Sequence, residues 1–143
     1  MVYADTSVLA SYYLHDANGA SAIGLISELH QPLAFNWIHR LELRNALALA
    51  IFRGELTRDE GMKVWGLVAQ DRRNKLLLRN VLSWERTFRE AYLLCTSQSE
   101  TLGTRSLDIL HVAAARQLRT TVFLSFDKRQ RALAQSAGFQ VVP

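Results

Sequence analysis

Short apolar runs alternate with helix-length stretches along this chain, and that alternation restricts its fold more than any other feature. Residues 1–5 (Met-Val-Tyr-Ala-Asp) and 121–125 (Thr-Val-Phe-Leu-Ser) are apolar runs enriched in β-branched and aromatic types. Runs of this kind read as strands buried on both faces. Residues 32–36, 75–80 and 139–142 carry weaker forms of the same pattern, which makes five strands. Helical periodicity fills the intervals 6–14, 19–29, 37–53, 57–72, 84–98, 105–118 and 128–137. Thr57 with Glu60 makes a capping box, Ser83, Thr104 and Asp127 stand at N-cap positions, and Gly54 and Gly138 stand where helices stop. In the 37–53 helix, Leu41, Asn45, Ala48, Leu49 and Phe52 mark an inward-leaning stripe. Parallel strands need helical crossovers, so the alternation predicts an α/β layer architecture with a mainly parallel sheet.

Length and composition narrow the class further. A chain of 143 residues suits a single domain, 1–143, and buries roughly two-thirds of its unfolded surface. With 49% hydrophobic and 21% charged residues it has the makeup of an ordinary globular protein, not a disordered one. No apolar run is long enough to cross a bilayer, and the first residues lack the basic start and small-residue cleavage site of a secretory signal. These features predict a cytoplasmic protein with no membrane partner. The single Cys95 has no second cysteine for a disulfide or a thiolate zinc site, and reads as a packed small apolar side chain. Lys and Arg outnumber Asp and Glu by 17 to 13, with arginine in excess. That balance suits a polyanionic partner, and equally a soluble surface.

The carboxylates are sparse enough to sort individually. Nine of the 13 fall on helix surfaces or loops, where solvation or capping accounts for them. The other four occupy apolar settings. Asp5 ends the first strand, Glu42 lies in Leu-Glu-Leu-Arg-Asn-Ala-Leu, Asp108 in Ser-Leu-Asp-Ile-Leu-His-Val-Ala-Ala-Ala, and Asp127 follows Phe-Leu-Ser-Phe. In open parallel sheets ligands bind beyond the carboxyl ends of strands, where Asp5 and Asp127 fall. A helix N-terminus favours an acid through its macrodipole, which accounts for Glu42 or Asp108 singly. Four converging carboxylates would repel one another in a cleft of reduced dielectric unless a cation joined them. All-oxygen ligands suit Mg²⁺ or Mn²⁺.

These four segments, in this order and spacing, resemble the PIN-domain family, and more closely its VapC-type toxins, over essentially the whole chain. The resemblance implies a three-layer fold with a five-stranded parallel sheet between helices. It also implies a Mg²⁺- or Mn²⁺-dependent endoribonuclease that leaves a 5′-phosphate and a 3′-hydroxyl. Asp5, Glu42, Asp108 and Asp127 match the metal-binding acidic positions, and Ser7 and Ser125 match positioning roles beside the first and last acids. The segment Asn36-Trp-Ile-His-Arg40 is bulkier than the small Ser/Thr-rich entry expected there.

Arg40, Arg44, Arg105, Lys128 and Arg129 lie close in sequence to the acids and are candidates for RNA phosphates, with solvated surface charge as the alternative. His39 and His111 stay outside the catalytic set, as packed or helix-facing residues. The expected partners are RNA, an antitoxin protein of a type II toxin–antitoxin pair and a second copy in a homodimer. Surplus apolar residues on 37–53 and 57–72, such as Trp37, Leu41, Phe52 and Leu67, serve either a partner groove or the chain's own core. Two other readings compete: a catalytically silent PIN-like module, and an aspartyl-phosphate phosphatase. The phosphatase needs a second acid two residues after Asp5, where this chain has Ser7.

Overall fold

The computed structural model describes residues 1–143. Twelve elements follow in the order β1 (Tyr3–Ala4), α1 (Thr6–Leu14), α2 (Gly19–Leu29), β2 (Leu33–Phe35), α3 (Trp37–Phe52), α4 (Arg58–Arg73), β3 (Leu77–Arg79), α5 (Trp84–Leu102), α6 (Ser106–Gln117), β4 (Val122–Leu124), α7 (Lys128–Ser136) and β5 (Gln140–Val142). The strands pair as β1-β4-β5 and β2-β3, all parallel. A parallel bridge between Val2 and Leu33 joins the two sets, with the Ala34 amide donating to the Val2 carbonyl at 2.8 Å. The strands therefore run in the order β3-β2-β1-β4-β5, and their carboxyl ends share one edge.

Side-chain alternation along the strands makes two cores. Val2, Ala4, Leu33, Phe35, Leu77 and Leu124 pack against Val8 and Leu9 of α1, Ile26 of α2, Leu43 of α3 and Val68 of α4. Tyr3, Ala34 and Phe123 face the other way, onto Leu94 of α5, Val112 of α6 and Leu133 of α7. The Tyr3 and Phe123 rings, paired in the β1–β4 register, stack at 5.4 Å between centroids. Helices on both faces of a parallel sheet give the three layers expected.

The start signals hold where a short polar side chain reaches the first free amides. Thr57 and Glu60 form the capping box, and Asp127 accepts from the amides of Arg129 and Gln130. Two fail in detail. Ser83 stands at the N-cap without a side-chain cap bond, and the N-cap of α6 is Arg105, one residue after Thr104, whose hydroxyl instead meets Ser99 at 3.1 Å. Cys95 is exposed, not packed.

The larger correction concerns α3. Its buried face is Ile38, His39, Leu43, Leu47 and Ala50, while Leu41, Asn45, Ala48, Leu49 and Phe52 face outward. The helix carries apolar residues on both sides, so periodicity offers two stripes and only the sheet chooses between them. Of the surplus apolar residues, Ile38, Leu47 and Val68 are core, whereas Trp37, Leu41, Phe52 and Leu67 are exposed. Phe52→Ser should accordingly shift stability by no more than about 0.5 kcal/mol. Leu43→Ala, which opens a cavity beside Leu33 and Leu77, should cost about 2–5 kcal/mol. Urea unfolding of the two variants measures both.

Candidate functional site

Asp5 occupies the edge where β1 ends and α1 begins. Its amide continues the β1–β4 ladder onto the Leu124 carbonyl at 2.9 Å, and its side chain caps α1 by accepting the Val8 amide at 3.1 Å. The carboxylate is 4% exposed, and two hydroxyls complete its contacts: Ser7 donates to Oδ1 at 2.6 Å, and Ser125, at the end of β4, lies 2.8 Å from Oδ2. Burial pushes the Asp5 carboxyl above the ordinary carboxylate range, only partly offset by the nearby His111 and these hydrogen bonds. Ser7, close to Asp5 in sequence, and Ser125, expected beside Asp127, thus both contact the Asp5 carboxylate.

Ser125 joins Asp5 to two further residues. Its hydroxyl accepts the Asp127 amide at 3.0 Å and lies 2.8 Å from Gln130 Oε1. Asp127 caps α7 through Oδ1. Burial acts to raise the Asp127 carboxyl, but the Gln130 and Arg129 amides and the charges of Arg129 and Arg105 outweigh it and hold the group below its usual value. Asp108 is the third residue of α6, where its Oδ2 accepts the Arg105 amide at 3.0 Å. Its carbonyl is reached by Gln130 Nε2 at 3.5 Å. Asp108 therefore stands at the margin of the cluster with its carboxylate turned to its own helix end.

Glu42 reaches the site from the second turn of α3. Its Oε2 accepts the Thr6 hydroxyl at 2.6 Å and lies 2.5 Å from His111 Nε2 on α6. Burial works to raise this carboxyl as well, yet the His111 and Thr6 contacts prevail and place it below the ordinary range.

Behind Glu42 runs a buried polar chain. Asn36 Nδ2 donates to the Tyr3 hydroxyl at 3.3 Å, and that hydroxyl lies 2.9 Å from His111 Nδ1. Tyr3 has one proton, so it donates to Nδ1, which leaves the ring proton on Nε2 facing Glu42. His39 is fixed independently: Nε2 donates to the Ala4 carbonyl at 2.8 Å and Nδ1 accepts the Asn36 amide at 3.2 Å. Burial first and His111 second lower the His39 pKa to about 3, so it is neutral. Every buried polar side-chain atom has a partner.

The structure thus links Asp5, Glu42 and Asp127 through Thr6, His111 and Ser125, with Asp108 at the edge. It does not close three or more of these side chains around one point at metal-binding distance. The donor set nevertheless fits a hard cation. Glu42 Oε1, Asp108 Oδ1 and Asp127 Oδ2 accept no hydrogen bond, and Asp5 Oδ2 has only the Ser125 hydroxyl near it. Glu42, Asp108 and Asp127 thus each spend one oxygen on the fold and leave the other to a ligand, while Asp5 has both oxygens engaged by hydroxyl or amide groups.

Sequence reasoning passed over Thr6, Tyr3, Asn36, Gln130 and His111 as parts of this site. For His111 the signal was a polar residue on an otherwise apolar, Ala-rich helix face, three residues after Asp108. Of the basic candidates, Arg105 and Arg129 lie near enough to lower Asp127. Arg40 and Arg44 lie over the rings of Trp37 and Trp65, at 4.7 and 5.2 Å, and Lys128 is exposed.

Comparison with known proteins bears on this geometry. The family model described as PIN domain matches residues 2–136. No curated protein matches the chain in sequence. Among solved structures, the chain is similar to VapC20 of Mycobacterium tuberculosis, described as a toxin that cleaves the sarcin-ricin loop. The identity is 16%, 98% of this chain and 97% of that one are covered, and the TM-score is 0.69. It is also similar to FitAcB from Neisseria gonorrhoeae, at 16% identity, with 100% and 97% covered and a TM-score of 0.66. At that identity the likeness is one of fold.

The electrostatics of Asp5 carry a stability consequence. Because its pKa is higher in the fold than in the unfolded chain, its contribution is full below the unfolded value and is lost as pH rises through the folded one. Asp5→Asn removes that loss, so in chelator at pH 7 the variant should melt above the parent. The gap should narrow as pH falls toward the ordinary aspartate pKa. Calorimetry across pH measures it.

Proposed function

This chain belongs to the PIN-domain family, and within it we propose that the protein is a metal-dependent endoribonuclease, the toxin of a type II toxin–antitoxin pair. The observation that carries this reading is the union of Asp5, Glu42 and Asp127 at one sheet edge, with Glu42 Oε1 and Asp127 Oδ2 free for a cation and Asp5 Oδ2 met only by the Ser125 hydroxyl. Asp108 completes the set through rotation of its side chain away from the Arg105 amide. Mg²⁺ or Mn²⁺ bound there supplies a Lewis acid for the phosphodiester and lowers the pKa of an attacking water.

The chain's own residues have separable tasks. His111 and Thr6 fix the Glu42 carboxylate and keep it ionised, leaving Oε1 aimed away from them. Ser7 and the Val8 amide fix Asp5 through Oδ1, so that Oδ2, made more basic by burial, accepts the proton of the attacking water. Ser125 sets the distance between Asp5 and the start of α7. The products carry a 5′-phosphate and a 3′-hydroxyl.

The likeness to VapC20 and FitAcB favours a protein partner of antitoxin type, and the exposed apolar side chains of Leu41, Phe52 and Met62 offer it a surface. A homodimer and a cytoplasmic location complete the proposal. No helix is long and apolar enough to cross a membrane. The competing reading, a PIN-like module without catalysis, draws on the carboxylates not closing around one point.

Cleavage of mixed RNA by the purified protein decides between them. It should require Mg²⁺ or Mn²⁺, stop with chelator, and fall by two or more orders of magnitude in Asp5→Asn and Asp108→Asn. Cleavage that survives chelation, or persists in both variants, removes the mechanism. His111→Leu should lower kcat or metal affinity about 10- to 100-fold with KM nearly unchanged, and His111→Gln should recover part of it. Titration of Mn²⁺ into the same variants separates lost affinity from lost fold.

A further inference from the structure

The same sheet edge holds a second group of unsatisfied charges on its other half. Where β2 and β3 end, Arg40 of α3, Arg72 of α4 and Arg79 of β3 line one recess with Trp37 and Asn80. No acidic side chain lines it, and none of the three guanidinium groups takes part in an ion pair or donates a hydrogen bond. Arg53, Arg89 and Arg116 pair with Glu55, Glu85 and Glu90, so an acid stands beside each of them, whereas the recess gathers three guanidinium groups with none. Arg72 gains from the carboxyl end of α4, but that helix end does not explain Arg40 or Arg79.

The recess is rigidly framed. The Asn80 amide donates to the Phe35 carbonyl at 2.9 Å and Asn80 Oδ1 accepts the Phe35 amide at 3.2 Å, which ties the two strand ends together. Arg72 lies 6.0 Å from the centroid of the Phe35 ring, and Arg40 4.7 Å from that of Trp37. Trp37 keeps 53% of its surface exposed beside them. Three like charges held together in this way call for an anion, and the planar guanidinium fork matches a phosphate bidentately.

We infer that the Arg40, Arg72 and Arg79 recess is a phosphodiester subsite that holds a single-stranded RNA segment next to the catalytic acids. This rests on RNA being the substrate. Strand spacing puts the end of β3 about 10 Å from the end of β1, two strands away on the same edge. A strand whose scissile phosphate lies at Asp5 thus presents a neighbouring phosphate to the arginines. The free face of Trp37 gives a base a surface to stack on without reading its identity. The bulky entry Asn36-Trp-Ile-His-Arg40 becomes intelligible as part of this platform.

Binding of a short labelled oligouridylate, measured by anisotropy in chelator over a range of salt, tests the subsite without cleavage. Arg72→Ala and Arg79→Ala should each weaken binding several-fold, and each should lower the slope of log affinity against log salt by about 0.7. Arg58→Ala with Arg86→Ala removes the same charge at distant positions and should leave the slope nearly unchanged. Unaltered affinity and slope in Arg72→Ala/Arg79→Ala, with a native melting curve, would make the three arginines solvated surface charge and overturn the inference. An oligoglutamate that displaces the RNA from the parent, but not from that double variant, would assign the recess to an acidic protein partner and overturn it equally. Parent protein that binds RNA through these arginines yet cleaves none would leave the subsite standing and remove the nuclease reading alone.

Discussion

The desolvated carboxylate of Asp5 is the constraint around which this molecule is arranged. An aspartate buried at the end of a parallel strand is costly unless its charge is met by donors, and here α1 and the end of β4 supply them. The Val8 amide comes from the helix that Asp5 itself caps, so the residue that starts α1 also sets the angle at which α1 leaves the sheet. Ser125 comes from the neighbouring strand, so the β1–β4 register, Tyr3 on Phe123 and Ala4 on Leu124, is coupled to the site. What these donors leave uncompensated appears as the raised pKa, the stored cost that a bound cation would relieve.

A second coupling runs through the interior. Asn36, Tyr3, His111 and Glu42 form one hydrogen-bonded line from the start of α3, across β1, to α6 and back to α3. Tyr3 serves the core with its ring and the site with its hydroxyl. Because each group in the line has one donor or acceptor role left to it by its neighbour, the proton positions follow from the connectivity. The network lies beneath the catalytic edge and keeps Glu42 ionised in a place where burial alone would favour its neutral form.

The edge as a whole is electrically divided. Acids gather at β1 and β4 and arginines at β2 and β3, so an extended polyanion carrying a cation at one end meets both halves with complementary charge. The net charge of +4 is modest, so what sets the two halves apart is where the charges lie and not their sum.

Much of the fold was legible in the sequence. Buried parallel strands must be apolar on both faces, so Val2 to Ala4 and Val122 to Leu124 announce themselves, and short polar caps mark helix starts at Thr57 and Asp127. The outward stripe of α3 was not legible, because Leu41, Leu49 and Phe52 repeat with the same period as the buried Leu43 and Leu47. The acids stood out by their apolar surroundings, and the sequence by itself determined the residue types, their order and the strand and helix ends on which they sit. Only the tertiary structure decided that Ser125 ties Asp127 to Asp5, that His111 holds Glu42, and that Arg72 and Arg79 meet Arg40. Those contacts join residues far apart in the chain, and a one-dimensional pattern carries no record of which side chains the sheet will bring within hydrogen-bond reach.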